Sequence, residues 1–344
     1  MGRIVVQNLL ERGDTVTVFS QGNSKPEWWS RVDHILGDRT QREDFKEKLK
    51  GKQYDAVIDM RAFRKEDVES AIETFQGNVG RYVMISSGSV YADGKLDFAA
   101  HCPFRESDVD WASLDYTYPK GEDEYGVGKR HCEKWLQENS DVPYTIIRPP
   151  FVMGWDDPTG RTWWWMQRAL DGHGVIIPME DRAPFRGLYV ADAAENFLRA
   201  LDSPHAVNQT YHIAMQEIIT IERWAQMVWR AAGHECEITY VPREVIRKHE
   251  LLRNYEPAFS RIQVHDLPFV PELWKSERDF GLKTTPVEQW IQTTVEWYRT
   301  HYNGKNSEGY EHREAELQLA TKWRAAIGKL TGEFAGVHGP SAHN

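Results

Sequence analysis

Tyr125 and Lys129 lie four residues apart in the segment DEYGVGKRHCEKWL, a spacing that suits proton transfer. In a helix, residues four apart share one face. A tyrosine hydroxyl, with an ordinary pKa of about 10, accepts a proton at neutral pH only if a nearby cation stabilises its phenolate. Lys129 is such a cation. Because Tyr-x-x-x-Lys alone is common on exposed helices, the pair needs support from its surroundings.

Ser87 is the candidate for a hydroxyl that works beside this pair. It lies at the end of RYVMISS (81–87), an apolar run typical of a buried strand. Ligands of α/β proteins bind at the carboxyl edge of the sheet, so a hydroxyl there can hydrogen-bond the oxygen of a substrate alcohol or carbonyl. The alternative is that Ser86, Ser87 and Ser89 only shape a turn.

Strand and helix patterns alternate through the first half of the chain. The predicted strands are 15–19, 55–60, 81–87 and 144–149, and the predicted helices are 3–12, 41–50, 65–76 and one from Tyr125 onward. Strands separated by helices predict βαβ units and a parallel, doubly wound (Rossmann-like) α/β sheet. Near-continuous apolar strands fit a sheet covered on both faces.

The pattern changes after Pro149, which indicates a smaller C-terminal region. We predict a Rossmann-like NAD(P)-binding domain over 1–150, a substrate-binding region over 151–302 with elements returning to the sheet, and a charged, helical tail over 303–344. The helical segments ITIERWAQMVWRAAGH and PVEQWIQTTVEWYRTHY and the strand CEITYVP fall in the second of these.

Composition narrows the class of protein. The 344 residues carry a formal net charge of −10, which disfavours nucleic-acid binding because phosphate neutralisation needs a basic surface. Three cysteines without a CxxC pair and thirteen scattered histidines give no metal-ligand spacing, so we predict no metal site. No apolar run approaches the length of a membrane span, and the N-terminus lacks the layout of a signal peptide. We expect a soluble cytoplasmic protein.

With these motifs the chain resembles the extended short-chain dehydrogenases, the NAD-dependent epimerase/dehydratase family. The resemblance runs from residue 2 to about residue 300. Its ordered elements are SSGSVYA (86–92), PFRE (103–106), YGVGK (125–129), IIRPPFVMG (146–154) and GLYVADAAENFLRAL (187–201). It implies that Tyr125 is the general base or acid, that Lys129 lowers its pKa and that Ser87 holds the reacting oxygen.

The same resemblance implies residues for the cofactor, NAD or NADP, and for the substrate. Asp38 matches the acid that contacts the adenine amino group, and its neighbour Arg39 is placed with it at the cofactor. The other implied cofactor residues are Gly2, Met60, Arg64, Lys129 and Pro149, and Arg186 is implied near a substrate phosphate, with a register uncertain by one residue. Ser20 and Lys25 leave NADP possible beside NAD.

The implied substrate is a secondary alcohol or keto carbon of a sugar or sugar nucleotide. Dehydratases of this family usually place acidic residues directly after the catalytic hydroxyl, where this chain has Gly88 and Ser89. That leaves an epimerase or a dehydrogenase/reductase, and a homodimer remains possible.

The chain departs from the family at its beginning. The dinucleotide fingerprint requires a strand and then G-x-x-G-x-x-G, but only Gly2 matches it, at a helix start. The missing strand is central in a doubly wound sheet, so its loss leaves two edges unpaired. We therefore expect a mis-set start with Met1 as an internal methionine, and poor cofactor binding by the 344-residue chain.

Two alternative functions stay open. The segment WDDPTGR (155–161) and the Trp-rich helix after it are similar to a branch that includes chloroplast RNA-binding proteins, which allows a non-catalytic RNA-binding or regulatory member of the same fold. The negative charge and the intact Ser, Tyr and Lys set argue against it. The other alternative is an inactive, truncated copy.

Overall fold

This computed structural model describes residues 1–91, 96–109, 111, 124–257 and 267–335. The helices are α1 (Gly2–Arg12), α2 (Arg42–Leu49), α3 (Lys65–Phe75), α4 (Glu124–Asn139), α5 (Arg161–Leu170), α6 (Val190–Asp202), α7 (Ile221–Ala232), α8 (Arg243–Lys248), α9 (Trp274–Phe280), α10 (Val287–His301) and α11 (Arg313–Ala335). The strands are β1 (Thr17–Ser20), β2 (Asp33–Leu36), β3 (Tyr54–Asp59), β4 (Val79–Ile85), β5 (Tyr144–Arg148), β6 (Val152–Met153), β7 (Val175–Pro178), β8 (Leu188–Tyr189), β9 (Gln209–His212) and β10 (Ile238–Val241).

Two compact units divide the chain. The first unit comprises Met1–Met153, Phe185–Ile218 and Pro268–Pro286, and the second comprises Gly154–Pro184, Ile219–Leu267 and Val287–Asn344. Segments from the C-terminal half therefore belong to the first unit. The domain limits expected from the sequence, 1–150, 151–302 and 303–344, stay a prediction.

The first unit is built on parallel strands. β3, β4, β5 and β9 form one sheet in the order β3-β4-β5-β9, and β1 pairs with β2 in a separate parallel ladder. Helix α3 connects β3 to β4, α4 precedes β5 and α6 precedes β9, whereas β1 and β2 are joined by residues 21–32, which contain only a short 3-10 helix. The predicted doubly wound α/β fold is confirmed.

Apolar clusters cover both faces of the four-stranded sheet. On one face, Val5 of α1 and Phe197 of α6 pack with Val83 and Ile147. On the other, α2, α3 and α4 contribute the cluster that contains Tyr82 and Ile146. Adjacent strand residues point to opposite faces, so a strand covered on both is largely apolar, as the central residues of β4 (82–85) and β5 (146–147) are.

Helix α1 runs antiparallel to β1. It ends at Gly13, whose φ of +92° reverses the chain in a left-handed conformation that glycine adopts without a steric penalty. The short turn that follows leads into the amino end of β1. The beginning of α1 therefore lies toward the carboxyl edge of the strands, and the Trp28 indole, which follows β1, donates to the Arg3 carbonyl (3.1 Å).

The second unit is mostly helical. A two-stranded parallel ladder of β7 and β10 accompanies α5, α7, α8, α10 and α11. Helix α7 begins after Thr220, whose hydroxyl accepts a hydrogen bond from the Arg223 backbone N–H (3.2 Å), and ends at Gly233. Both ends agree with the sequence pattern, because a threonine cap and a glycine stop satisfy the unpaired groups of a helix end.

Candidate functional site

Lys129 lies in the core of the first unit, at the carboxyl ends of two neighbouring strands. Its side chain is 1% exposed. The ammonium donates to the carbonyl of Ala62, which follows β3, and to the carbonyl of Ile85, the last residue of β4, both at 2.7 Å. Burial lowers the pKa of Lys129. The lysine therefore ties together the two strand ends where ligands of this fold class bind.

Tyr125 lies one turn earlier on α4 and is 48% exposed. The Lys129 ammonium nitrogen is 5.7 Å from the centre of its ring, and the Phe63 ring centre is 5.9 Å from it. The two predicted catalytic side chains thus share one face of the helix, with the tyrosine toward solvent and the lysine beneath it. A cation at this distance favours the phenolate form of a tyrosine.

Gly128 fixes how closely α4 approaches the loop after β3. A Cβ atom at this position would lie 2.1 Å from the Phe63 carbonyl oxygen, which no side chain can occupy. The glycine between Tyr125 and Lys129 therefore lets the helix backbone contact the loop, and this contact brings Lys129 within reach of the Ala62 carbonyl.

Ser87 lies two residues beyond Ile85, the last residue of β4, and is half-buried. Its hydroxyl donates to Ser89 Oγ and accepts from the Ser89 backbone N–H, both at 3.1 Å. These bonds begin the short 3-10 helix Gly88–Tyr91, against which α4 packs. Ser87 is thus both a turn-forming serine and a hydroxyl at the edge of the sheet where α4 carries Tyr125. Ala92, the last residue of the SSGSVYA motif, lies outside the described residues.

A network of buried polar side chains connects the elements that carry Ser87, Tyr125 and Lys129. Glu133, on the same face of α4 as Tyr125 and Lys129, is 0% exposed and accepts the Ser86 hydroxyl. Arg148 at the end of β5 donates to both Glu133 carboxylate oxygens, with Nε at 3.0 Å from each. The network therefore joins β4, α4 and β5 one residue before Ser87.

The network continues beyond Arg148. Its guanidinium donates to the Tyr91 hydroxyl (2.6 Å), which lies 2.7 Å from His212 Nε2 on β9. Burial by itself would lower the pKa of Arg148. The nearby Glu133 carboxylate has the larger, opposite effect, so the pKa of Arg148 lies above its ordinary value. Burial raises the pKa of Tyr91, and burial together with Arg148 depresses the pKa of His212. At neutral pH Arg148 is therefore charged, while Tyr91 and His212 are neutral.

Sequence reasoning missed this network. One signal was present, because Glu133 continues the four-residue spacing of Tyr125 and Lys129 along the helix. Arg148 gives no comparable signal. Its partner lies fifteen residues away on another element, so the pairing follows only from the packing of α4 against the sheet.

The residues expected at the cofactor lie along the carboxyl edge of the first unit. Gly2 begins α1. The Asp38 carboxylate accepts from the Thr40 backbone N–H (2.9 Å) and from Gln21, and the Thr40 bonds lower the pKa of Asp38. Arg39 is held by Asp59 and Ser70, both at 3.1 Å, and stacks over Phe45. These bonds give Arg39 a structural role at its position, and cofactor contact stays a prediction.

The remaining predicted residues are also located. Met60 follows β3 and packs against the α1 cluster. Arg64 caps α3, is 51% exposed in its side chain and pairs with Glu124. Pro149 follows β5, and its carbonyl accepts the Gly88 N–H (2.8 Å). The Arg186 guanidinium donates to the carbonyls of Pro271 (2.8 Å) and Gln216 (3.3 Å), and burial lowers its pKa.

Two kinds of feature are absent from the described residues. No cluster of three or more His, Cys, Asp or Glu side chains with metal-binding geometry occurs among them. No helix in the described ranges combines the length and apolar character needed to span a membrane.

A family model described as NAD(P)H-binding matches residues 1–174. Among curated proteins, the chain is similar to the chloroplast stem-loop binding protein of 41 kDa b of Arabidopsis thaliana, with 27% identity over 259 residues. The match covers 71% of this chain and 64% of that protein, so the chain spans less than two thirds of its relative's length.

Solved structures of similar fold include several epimerases. UDP-glucose 4-epimerase of Thermotoga maritima with UDP-glucose gives a TM-score of 0.64 at 18% identity, covering 86% of this chain and 94% of that one. The Bordetella bronchiseptica enzyme WbmH with NAD+ gives 0.61 at 19% identity, with 87% and 95% covered. UDP-N-acetylglucosamine 4-epimerase of Bacillus cereus gives 0.62 at 16% identity, with 88% and 94% covered. At these identities the similarity shows the fold alone.

The fit of a nicotinamide dinucleotide differs between the two ends of the carboxyl edge. Ser87, Tyr125 and Lys129 at β3 and β4 suit the nicotinamide end. At the other end, α1 begins without a side-chain cap, and a Cβ on Gly2 would meet no atom within 4 Å. The backbone N–H groups of its first turn can receive an anion such as a phosphate. The side chains present thus fit the reactive end of the cofactor, and the first turn of α1 fits an anionic group.

Proposed function

This chain belongs to the NAD(P)H-binding family, and we propose that it is an NAD(P)-dependent epimerase or oxidoreductase that acts on a secondary alcohol or keto carbon of a sugar or sugar nucleotide. One observation supports this proposal above the others. The buried Lys129 ammonium donates to the carbonyls of Ala62 and Ile85, and Tyr125 lies above it at the surface. Ile85 is two residues before Ser87 in the chain. A proton acceptor, its cation and a second hydroxyl therefore converge on one edge of the sheet.

Each of these groups has a distinct part in the proposed reaction. The Tyr125 phenolate takes the proton of the substrate hydroxyl as the carbon–oxygen double bond forms, and its phenol returns the proton in the reverse direction. Lys129 stabilises the phenolate by its positive charge. Ser87 donates a hydrogen bond to the reacting oxygen and orients it. A bound nicotinamide supplies the acceptor and donor of the hydride.

The sugar substrate class rests on similarity rather than on a pocket. The titles of two structural neighbours name UDP-sugar epimerases, and the first was solved with UDP-glucose. The absence of an acid after Ser87 disfavours dehydration, which leaves epimerisation and simple oxidation or reduction. The homodimer, the cytoplasmic location and the role of Arg186 at a substrate phosphate stay predictions.

The proposal is tested by replacing Tyr125 with Phe and assaying a panel of UDP-sugars at saturating NAD and NADP. The rate should fall by a factor of about 100 to 10,000, the usual contribution of general acid–base catalysis. Tyr144→Phe is the matched control, because Tyr144 begins β5 at the opposite edge of the sheet and should leave the rate unchanged. A Tyr125→Phe enzyme that retains the wild-type rate contradicts the proposed mechanism.

A second candidate is a non-catalytic RNA-binding member of the same fold. The observation that favours it is the 27% identity to a protein named for stem-loop binding. The formal net charge of −10 counts against it. The salt dependence of binding to an RNA stem-loop, measured between 50 and 200 mM salt as a titration range, separates the two functions. Tight binding that weakens steeply with salt, together with no turnover on any UDP-sugar, would favour the RNA-binding function.

A further inference from the structure

Helix α11 of the second unit has a packed part and an exposed part. In the packed part, Glu316 is 1% exposed and accepts a hydrogen bond from the Tyr255 hydroxyl (3.0 Å). The packing ends at Arg324, whose guanidinium donates to the Thr239 hydroxyl of β10 (3.0 Å). After Arg324, residues 325–334 are exposed. Nearly three turns of the helix therefore lie outside the core of the second unit.

An apolar seam runs from the packed part of α11 into the exposed part. Trp323 packs against the apolar cluster that contains Ile176 and Ala320. The next apolar residues follow Trp323 at intervals of four, three and four, and they are Ile327 (42% exposed), Leu330 (49%) and Phe334 (73%). Such alternation of three and four keeps side chains on one helix face and is the a/d pattern of a coiled coil. We call Trp323, Ile327, Leu330 and Phe334 the α11 seam.

Two glycines weaken the exposed part of the helix. Gly328 and Gly332 lie on the face away from the α11 seam, and a Cβ on either would meet no atom within 4 Å. Each glycine costs an exposed helix about 1 kcal/mol relative to alanine. Short helices are marginal in water unless an apolar face is packed. Burial of the α11 seam against a partner would supply this packing.

The α11 seam is complementary to itself in an antiparallel pair. When Ile327 of one copy lies level with Leu330 of a second copy, Trp323 of each copy lies level with Phe334 of the other. The pair then has two aliphatic layers in the middle and one aromatic layer at each end. Large aromatic side chains contribute most of the apolar area in such contacts. One register therefore matches every residue of the seam with an apolar partner.

Charges beside the seam favour the same direction. Glu333 and Lys322 lie on one flank of the seam, and in this register Glu333 of one copy lies level with Lys322 of the other. Opposite charges at flanking positions set the orientation of paired helices. A parallel pair would place each residue level with its own counterpart and would bring no such opposite charges together. The charge pattern therefore indicates an antiparallel pair.

We propose that the α11 seam binds a second copy of this chain, and that the two helices pair antiparallel across a two-fold axis. A two-fold interface requires that each contact be reciprocal, and this register meets that condition. Four layers of side chains make a small interface, and small interfaces are usually transient. We therefore expect a reversible dimer with a dissociation constant in the micromolar range. The inference concerns one helix of the second unit and is independent of the proposed catalytic function.

Sedimentation equilibrium of the full-length chain between about 1 and 200 µM, a range that spans micromolar dissociation constants, tests the pairing. The average mass should rise from that of a monomer toward that of a dimer. Leu330→Glu places a charge in a central layer, where burial without a partner is costly, so the dissociation constant should rise at least about tenfold. Ala325→Glu is the matched control, because it adds the same side chain on the opposite face of the exposed part and should leave the dissociation constant unchanged.

A charge exchange tests the direction of the helices. Glu333→Lys and Lys322→Glu should each raise the dissociation constant about two- to fivefold, as expected for an exposed ion pair, and the double variant should restore it. Restoration by the double variant supports the antiparallel register, and failure to restore overturns it. The proposal is also overturned if the wild-type chain stays monomeric throughout the concentration range, or if Leu330→Glu and Ala325→Glu change the dissociation constant equally.

Discussion

Glu133 and Arg148 show what a single buried pair contributes to this site. Both side chains are at most 1% exposed, and together they hold the Ser86 hydroxyl and the Tyr91 hydroxyl. A buried charge that loses its partner is strongly destabilising, whereas a paired one is tolerated. The pair therefore fixes the end of β4, where Ser87 begins its turn, relative to α4.

Replacing Glu133 with Gln leaves Arg148 buried without a counter-charge. We expect the free energy of unfolding to fall by about 3–5 kcal/mol, measured by urea denaturation. Glu138→Gln on the same helix is the control, because this exposed residue forms a surface ion pair with Lys134 and its loss should change stability by less than about 1 kcal/mol. Equal losses in the two variants would show that the buried pair has no special role.

His212 makes stability depend on pH. Its folded pKa is depressed, first by burial and then by Arg148, with Lys275 also lowering it and Asp108 opposing. Above its unfolded pKa of about 6.5 the residue is neutral in both states. As the pH falls below that value the unfolded chain takes up a proton that the folded protein does not, so stability decreases by up to about 1.4 kcal/mol per pH unit.

The His212→Gln variant isolates this contribution. Between pH 7 and pH 5, chosen as assay conditions, its unfolding free energy should decline less than that of wild type, because the titrating group is gone. Urea denaturation at each pH measures the difference. Parallel curves for the two proteins would mean that His212 protonates equally in both states.

Among the elements, the position of α4 decides whether the site forms. Gly128 allows its contact with the Phe63 carbonyl, and Gly128→Ala would place Cβ 2.1 Å from that oxygen. We expect a loss of about 1–3 kcal/mol from overpacking, measured by thermal or urea unfolding, and a lower catalytic rate as α4 moves from the strands. Gly328→Ala on α11 has open space at its Cβ and should be neutral or stabilising by up to about 1 kcal/mol. An unchanged Gly128→Ala protein would contradict the close packing.

At this scale, much of the fold could be predicted from the sequence. The glycine stop of α1, the threonine cap of α7 and the apolar runs of β3, β4 and β5 are local signals, and each element formed where its signal lies. The short strands β2 and β9 gave no such signal. They are four residues each, and their identity as strands comes from pairing with β1 and β5.

For the molecule as a whole, the sequence predicted a parallel, doubly wound sheet, and the fold agrees. The sequence could also place Tyr125, Lys129 and Ser87 near one edge. It could not give the carbonyls that hold Lys129 or the network behind Ser87, because these contacts depend on three-dimensional packing.

The central claim is that Tyr125 initiates hydride transfer from a secondary alcohol carbon. The direct test follows a UDP-sugar deuterated at its reacting carbon, by mass spectrometry, at saturating NAD or NADP. For oxidation, the account predicts that the deuterium appears on the nicotinamide. For epimerisation, it predicts that the deuterium returns to the same carbon with inverted configuration. Tyr125→Phe should lower the rate of deuterium transfer at least about 100-fold, and Tyr144→Phe should leave that rate unchanged. Release of the label to water, or unchanged transfer by Tyr125→Phe, would contradict it.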